Sequence, residues 1–309
     1  MPMKLTQTWK ENRSLPFLAP LLLLILSVLL GGCITSQTKV PQVSQIAEGP
    51  QLTGKFTWYD IFTDNMPGTT GFYSELFGWS FQSIPDSKGN IQTILKDGRP
   101  IGNAISITKS RNEESGSQWL SYMSVPNVDS AVQIVEDNHG IIHTAAKQLP
   151  DRGRVAVARD PQGTLFALLH SSSGDPADEG FEYSSWIGSE LWTEDMEKAR
   201  KFYTDLAGYE EKLVPLECGD TYHFLMRDGE PRAGIAQLPW DDVDPIWIPY
   251  VAVEDIAATT SKAIALGAIV IMEPDTAFPE NEVAILADPS GAVFGIQQTD
   301  LNLSPEGDK

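Results

Sequence analysis

Residues 56–63 read Phe-Thr-Trp-Tyr-Asp-Ile-Phe-Thr, an alternating pattern that predicts a strand. A helix is expected next, capped by Asp64-Asn65 and ended by Gly78. The pair Asp97-Gly98 marks a tight hairpin. Another strand is expected over 120–125, then a second helix over 130–138, stopped by Gly140. A last strand pair turns at Asp160-Pro161-Gln162-Gly163, where Pro sets φ and Gly supplies positive φ.

This succession of signals occurs twice. Phe72-Tyr73-Ser74-Glu75-Leu76-Phe77-Gly78-Trp79 is answered by Phe202-Tyr203-Thr204-Asp205-Leu206-Ala207-Gly208-Tyr209. Trp119 to Val125 is answered by Trp247 to Val253, and the Asp160 turn by Asp288-Pro289-Ser290-Gly291. The three blocks recur in order about 130 residues apart, the mark of an internal repeat. The second copy predicts a strand over 188–193, a helix capped by Glu194-Asp195 and ended by Gly208, a hairpin at Asp228-Gly229, a strand over 249–253, and a helix over 256–266 stopped by Gly267.

The first 33 residues read as a processing signal. Lys4, Lys10 and Arg13 precede an apolar run over 15–30 that Pro16, Pro20 and Ser27 interrupt, too short and too broken for a membrane span. Leu30-Gly31-Gly32-Cys33 matches a lipobox, in which small side chains fit a peptidase cleft and the thiol accepts diacylglycerol. Residues 1–32 are thus expected to be removed, leaving Cys33 as the lipidated N-terminus of a membrane-anchored chain. Ile34 in place of Asp after that Cys favours the outer membrane in a Gram-negative cell. Residues 33–52, rich in Ser, Thr, Gln, Pro and Val, read as a flexible tether.

Composition narrows function mainly by exclusion. The 309 residues carry a formal net charge of −20, so nucleic acid is an unexpected partner. With Cys33 acylated, Cys218 has no partner for an intramolecular disulfide, and nothing beside it suits an activating base. His139 falls at a helix C-terminus, while His143, His170 and His223 show no ligand spacing.

A strand, a helix ending in Phe-Tyr-x-x-Leu-x-Gly, a Val-x-Asp-like start to the second helix and a closing Asp-Pro-x-Gly hairpin resemble the vicinal-oxygen-chelate superfamily of glyoxalases, bleomycin-resistance proteins and extradiol dioxygenases. Trp58-Tyr59-Asp60 resembles a tandem-module branch with Trp-Tyr-acid at that place. The resemblance implies an α+β fold of two βαβββ modules, over 53–172 and 183–299, pairing into a cup-shaped curved sheet. A linker over 173–182 and an acidic tail over 300–309 complete the chain. Metal-using members would place ligands at positions held here by Trp58, Gly188, Leu120, Ile248, Ala167 and Gly295. None of these offers a side chain suited to a divalent cation, so no metal or other cofactor is expected.

Alternation on the first strand of each copy places Trp58, Asp60 and Phe62 on one inward face, and Glu190 and Trp192 on its equivalent. Tyr122 and Tyr250 are expected to face the same way. Acidic and aromatic lining suits a cationic or aromatic small molecule. The expected function is metal-independent binding of such a ligand. Two alternatives stand beside it: an enzyme using Asp60 and Glu190 as acid and base or holding a metal by non-standard ligands, and a cup packed solid by its own aromatics. No catalytic residue is assigned.

The lipobox carries the first test. Metabolic labelling with a palmitate analogue is expected to mark the wild-type protein and to fail in Cys33→Ser, whose precursor should stall or be released; a label that survives the substitution removes the anchor.

Overall fold

The computed structural model describes residues 39–44, 49–108, 116–178, 180–216, 221–240, 243–275 and 282–300. The lipobox with Cys33, the turn with Cys218 and residues 301–309 of the acidic tail lie outside the described residues. In the first repeat, β1 (Phe56–Thr63), α1 (Met66–Phe77), β2 (Ser80–Ser83), β3 (Ile91–Lys96) and β4 (Arg99–Ser106) precede β5 (Gln118–Ser124), α2 (Val128–Asp137), β6 (Ile141–Leu149), β7 (Gly153–Arg159) and β8 (Leu165–Ser171). The second repeat runs β9 (Trp186–Thr193), α3 (Met196–Ala207), β10 (Glu210–Pro215), β11 (Thr221–Arg227), β12 (Glu230–Gln237), β13 (Ile246–Val253), α4 (Ile256–Ala265), β14 (Ile269–Asp275), β15 (Val283–Ala287) and β16 (Val293–Gln298). The βαβββ unit is present in both repeats, and each repeat carries it twice.

Local chemistry explains the element ends. The Asn65 side chain accepts from Gly68 N at 3.2 Å and that of Asp195 from Lys198 N at 3.0 Å, capping α1 and α3. Both helices end on a left-handed glycine, Gly78 at φ 75° and Gly208 at φ 65°. Helix α2 begins at Val128, two residues before the position expected from the sequence, because Asn127 is its cap and accepts from Ser130 N at 2.9 Å. The edge strands β2 and β10 carry no alternating signal; pairing with β3 and β11 defines them.

Each repeat forms one eight-stranded sheet, in the orders β2-β3-β4-β1-β5-β8-β7-β6 and β10-β11-β12-β9-β13-β16-β15-β14. The expected pairing of units into a curved sheet is therefore realised inside each repeat, by antiparallel β1–β5 and β9–β13 contacts. Helices cover one face of each sheet. The other face buries Trp58, Leu120, Val157 and Leu169 in one repeat and Ile248, Ile285 and Trp192 in the other. No helix among the described residues belongs to either of those clusters, so the sheet must curl over its own side chains to bury them. There are thus two cups, one per repeat.

The remaining core is shared. Tyr59, Tyr73, Trp119 and Phe166 of the first repeat cluster with Leu191, Tyr203, Trp247 and Phe294 of the second. Phe56 and Trp247 lie 4.6 Å apart, Trp119 and Trp186 4.9 Å. At the centre, Trp247 Nε1 donates to the Tyr203 hydroxyl at 2.8 Å, and that hydroxyl donates to Asp160 Oδ2 of the other repeat at 3.1 Å. Asp160 Oδ1 meanwhile accepts from Gln162 N and Thr164 N, both at 2.9 Å, which holds the Asp-Pro-x-Gly turn. In the pseudo-symmetric copy Trp119 Nε1 donates to Tyr73 at 2.9 Å. Tyr73 faces Asp288, whose charge adds to burial in pushing the Tyr73 hydroxyl well above its ordinary range. Asp288 Oδ2 makes no close hydrogen bond, so this half of the lock is looser.

The tether departs from expectation. Residues 39–44 lie against the first repeat: Val43 is buried in its cup, and Ser44 N donates to Ser173 Oγ at 3.1 Å. Gly49 N donates to Ser173 O, also at 3.1 Å. Composition argued for flexibility, but Val43 burial acts together with the bonds that Arg152 Nε gives to Pro41 O and Ser44 N gives to Ser173 Oγ, contacts that composition does not reveal.

Tyr203→Phe is expected to destabilise the fold by about 1–3 kcal/mol, because it leaves Trp247 Nε1 and Asp160 Oδ2 buried without their partner. Tyr73→Phe should cost less, in line with the longer Asp288 approach. Urea unfolding of the two variants checks this; equal midpoints with wild type for Tyr203→Phe would remove the lock from the account.

Candidate functional site

Strand register brings the inward residues of each repeat together. In the first cup Trp58 pairs with Tyr122 across β1–β5, and Tyr122 with Ala167 across β5–β8. In the second, Tyr250 pairs with Gly188 and with Gly295. The six positions where metal ligands would stand thus do converge on the cup faces. They carry Trp, Leu and Ala in one cup, Gly, Ile and Gly in the other, and no nitrogen or oxygen donor fit for a divalent cation, since the Trp58 indole N–H has no free lone pair and donates to Asp60. No cluster of three His, Cys, Asp or Glu side chains occurs among the described residues. The residues do not fit the metal that the fold accommodates in other proteins.

The histidines sit apart. His170 Nδ1 lies 3.2 Å from Val125 O, His143 Nε2 accepts from Arg159 Nε at 3.2 Å, and His223 Nδ1 meets Glu211 at 2.6 Å. His139 follows α2 with φ 66°, a left-handed turn residue.

Asp60, 4% exposed, is at the centre of the first cup. Its Oδ1 accepts from Trp58 Nε1 at 2.7 Å, Asn103 N at 3.1 Å and Asn103 Nδ2 at 2.9 Å. Oδ2 accepts from the Tyr122 hydroxyl at 2.6 Å. The Arg152 guanidinium carbon stands 3.6 Å from the centre of the Trp58 ring, a close cation–π contact. Asp60 is therefore a saturated carboxylate, with a cation in the same cup. Phe62 packs in that cup as an apolar wall.

The second cup repeats the plan with different consequences. Glu190, 9% exposed, accepts from Trp192 Nε1 at 2.6 Å, from the Tyr222 hydroxyl, and from the Tyr250 hydroxyl at 3.2 Å. Burial pushes the Glu190 carboxyl up, opposed by hydrogen bonds from Tyr222, Trp192 and Tyr250. No cation contributes to that balance. Tyr222 and Tyr250 are pushed well above the usual phenol range, by burial first and the Glu190 charge next. Two glycines let these rings approach. A Cβ at Gly234 would lie 1.8 Å from the Tyr222 hydroxyl, and one at Gly295 would lie 2.5 Å from the Tyr250 ring. In the first cup the register positions of these glycines hold Asn103 and Ala167.

Asp60 and Glu190 are both inward, as the alternation implied, but they share no hydrogen-bond partner and belong to separate cups. They do not form a carboxylate pair in one site. The first cup is lined more tightly. Among the described residues, two partly buried apolar side chains, Val40 and Leu149, pack against it, whereas Ile187, Ala236, Trp240, Val243, Ile246 and Ile269 pack against the second. Trp192 and Trp240 there stand 5.8 Å apart. The sequence reading missed Arg152, Asn103 and Tyr222. Tyr222 sits on an alternating stretch and was open to the same argument as Trp58. Asn103 and Arg152 enter the site only through strand register and a turn.

The geometry agrees with what comparison with other proteins finds. The family model of the Glyoxalase/Bleomycin resistance protein/Dioxygenase superfamily matches residues 55–168 and 186–296. A putative glyoxylase of Mycobacterium tuberculosis is 28% identical over 245 residues, covering 79% of this chain and 94% of that protein. An anthracycline biosynthesis protein of a Streptomyces species is 29% identical over 267 residues, covering 79% and 92%. Among solved structures, an Mn(II)-bound glyoxalase from Novosphingobium aromaticivorans superposes with a TM-score of 0.56 at 15% identity, over 81% of this chain and 85% of that one. The 2,3-dioxygenase LapB from a Pseudomonas species gives 0.54 at 12% identity, over 85% and 97%. These two show a common fold and no more. Two successive matches that follow the two repeats, on the sheet topology described above, make the chain a member of the Glyoxalase/Bleomycin resistance protein/Dioxygenase superfamily.

Proposed function

We propose that the chain is a membrane-anchored binding protein for a small aromatic or cationic molecule, held without a metal in the second cup. One observation carries this reading: Glu190 is a buried carboxyl ringed by Trp192, Tyr222 and Tyr250, with no cationic partner among the described residues. Burying an unneutralised carboxylate is costly, and a ligand bearing a positive charge would relieve that cost. Aromatic walls favour a flat or quaternary cation by cation–π attraction. The relative named for anthracycline biosynthesis supports an aromatic ligand class. Lipidation at Cys33 would hold the body at the outer membrane of a Gram-negative cell, in contact with compounds entering the envelope.

A second reading has its own observation. A carboxyl raised by burial above the ordinary Glu range and flanked by two phenols is suited to general acid chemistry, and a relative is named as a putative glyoxylase. On this reading Glu190 would exchange a proton with bound substrate. Turnover by wild type that is lost in Glu190→Gln while substrate affinity is retained would favour it over simple binding.

The test is a tryptophan-fluorescence screen of aromatic amines against wild type, Glu190→Gln and Asp60→Asn. A cationic aromatic ligand is expected to lose about 1.5–3 kcal/mol of affinity in Glu190→Gln, the range for hydrogen bonds to charged groups. Asp60→Asn should leave it unaffected, since Asp60 serves the other cup. The ligand-free protein gives a matching stability signature. Because burial raises Glu190 in the folded state, the stability it contributes is full below the ordinary Glu range and is lost as pH rises through the raised value. Glu190→Gln should therefore melt higher than wild type at neutral pH, and the difference should vanish on acidification. If no amine shifts the wild-type signal, binding is withdrawn.

The six donor-poor positions give a separate prediction. Untagged protein should retain well under one equivalent of Fe, Mn, Ni or Zn after dialysis, measured by elemental mass spectrometry. Stoichiometric metal would show that other residues bind it.

A further inference from the structure

The first cup contains a polar group that its own partners do not satisfy. Arg152 is 2% exposed, and burial pulls its guanidinium down, against the pull of Asp60 and Tyr122. Its Nε donates to the backbone carbonyl of Pro41 at 2.8 Å. Its Nη2, on the same edge of the guanidinium, is buried with no hydrogen-bond partner. Asp60 does not supply one, because its four accepted bonds come from Trp58, Asn103 and Tyr122.

A few atoms away, the same protein shows what that edge is shaped for. Arg154, two residues on, sets Nε and Nη2 on the two oxygens of Asp129 at 2.8 and 2.6 Å. This is the side-on, two-point recognition of a carboxylate by a planar guanidinium. At Arg152 a neutral carbonyl takes one of the two donors and leaves the other.

We propose that the first cup is a further binding site, for a small apolar carboxylate, and that residues 39–44 occupy its mouth as a displaceable strap. The carboxylate would take Nε and Nη2 of Arg152 together, replacing Pro41 O. Its apolar body would replace Val43 among Trp58, Ile91, Leu120 and Leu165. The strap is lightly fixed: Gln42 and Lys39 are exposed, Val43 is its one buried apolar side chain, and an open pocket of about 410 Å³ lies beside it, lined by Pro41, Gln82, Ile84 and Thr93. The strap begins six residues after Cys33, so the segment that gates the cup is also the one that leads to the expected anchor. This proposal concerns the first cup alone and stands whether or not the second binds a cation.

The experiment uses the full chain in detergent micelles, with benzoate as probe and neutral benzamide as control. Val43→Asn weakens the strap without touching Arg152 and is expected to tighten benzoate binding at least tenfold. Arg152→Lys keeps a positive charge but has no second donor on one edge, and should weaken binding at least tenfold in both backgrounds. Hydrogen exchange over residues 39–44 should accelerate when benzoate saturates. The proposal is overturned if Val43→Asn fails to bind benzoate or binds no better than wild type. It is also overturned if benzamide binds as well as benzoate, if Arg152→Lys binds as well as Arg152, or if benzoate slows exchange in the strap.

Discussion

A tyrosine hydroxyl buried away from water must find both a donor and an acceptor in the protein, or the fold carries the cost of an unmet polar group. Tyr203 meets this demand by accepting a hydrogen bond from the indole of Trp247 in its own repeat and donating one to Asp160 in the other. Tyr73 does the same with Trp119 and, at longer range, with Asp288. The three sequence blocks that recur along the chain are the three parts of this link. Helix, strand and closing turn are fixed relative to one another by one buried hydroxyl per copy. The shared aromatic core then forms around it, and each sheet is left with its other face free to curl into a cup.

Because the lock lies on the helix side, it places few demands on the cups, and the two have diverged. A neutralised, crowded cup has Asp60 with four donors, Arg152 over Trp58, and Val43 at its mouth. The other has Glu190 among phenols and an indole, with wider apolar exposure at the rim. The difference traces to a few positions. Gly234 admits Tyr222 where Asn103 itself donates in the first cup, whereas Tyr122 beside Ala167 and Tyr250 beside Gly295 each reach their carboxyl. The presence or absence of a side chain of four heavy atoms at the register position of Asn103 and Gly234 decides which donor reaches the carboxyl.

The chain thus keeps the scaffold of a family whose members use metal while its own cup positions carry no ligand set. A curved sheet that buries side chains without a helix is a general container. What the container holds depends on charge balance inside it, and here the two cups differ: a neutralised Asp60 and Arg152 with one unmet donor in one, and in the other an anion with no cationic partner among the described residues.

The sequence by itself determined the repeat, the βαβββ succession, most element boundaries and the inward face of β1 and β9, because these follow from local periodicity, capping and turn chemistry. Asn65, Asp195, Gly78 and Gly208 act within one turn of the chain, so their roles are readable in order. The sequence also showed that the cup positions lack metal donors. It could not show that Asp60 and Glu190 serve separate cups, since alternation fixes a face and not which sheet closes over it. Nor could it show Arg152, which follows a polar turn, or Val43, which sits in a segment composed like a linker. Their positions depend on contacts more than a hundred residues apart in the chain, Arg152 with Pro41 and Ser44 with Ser173. Only the closed sheet brings those residues within reach, and burial there, not local propensity, gives each its chemistry.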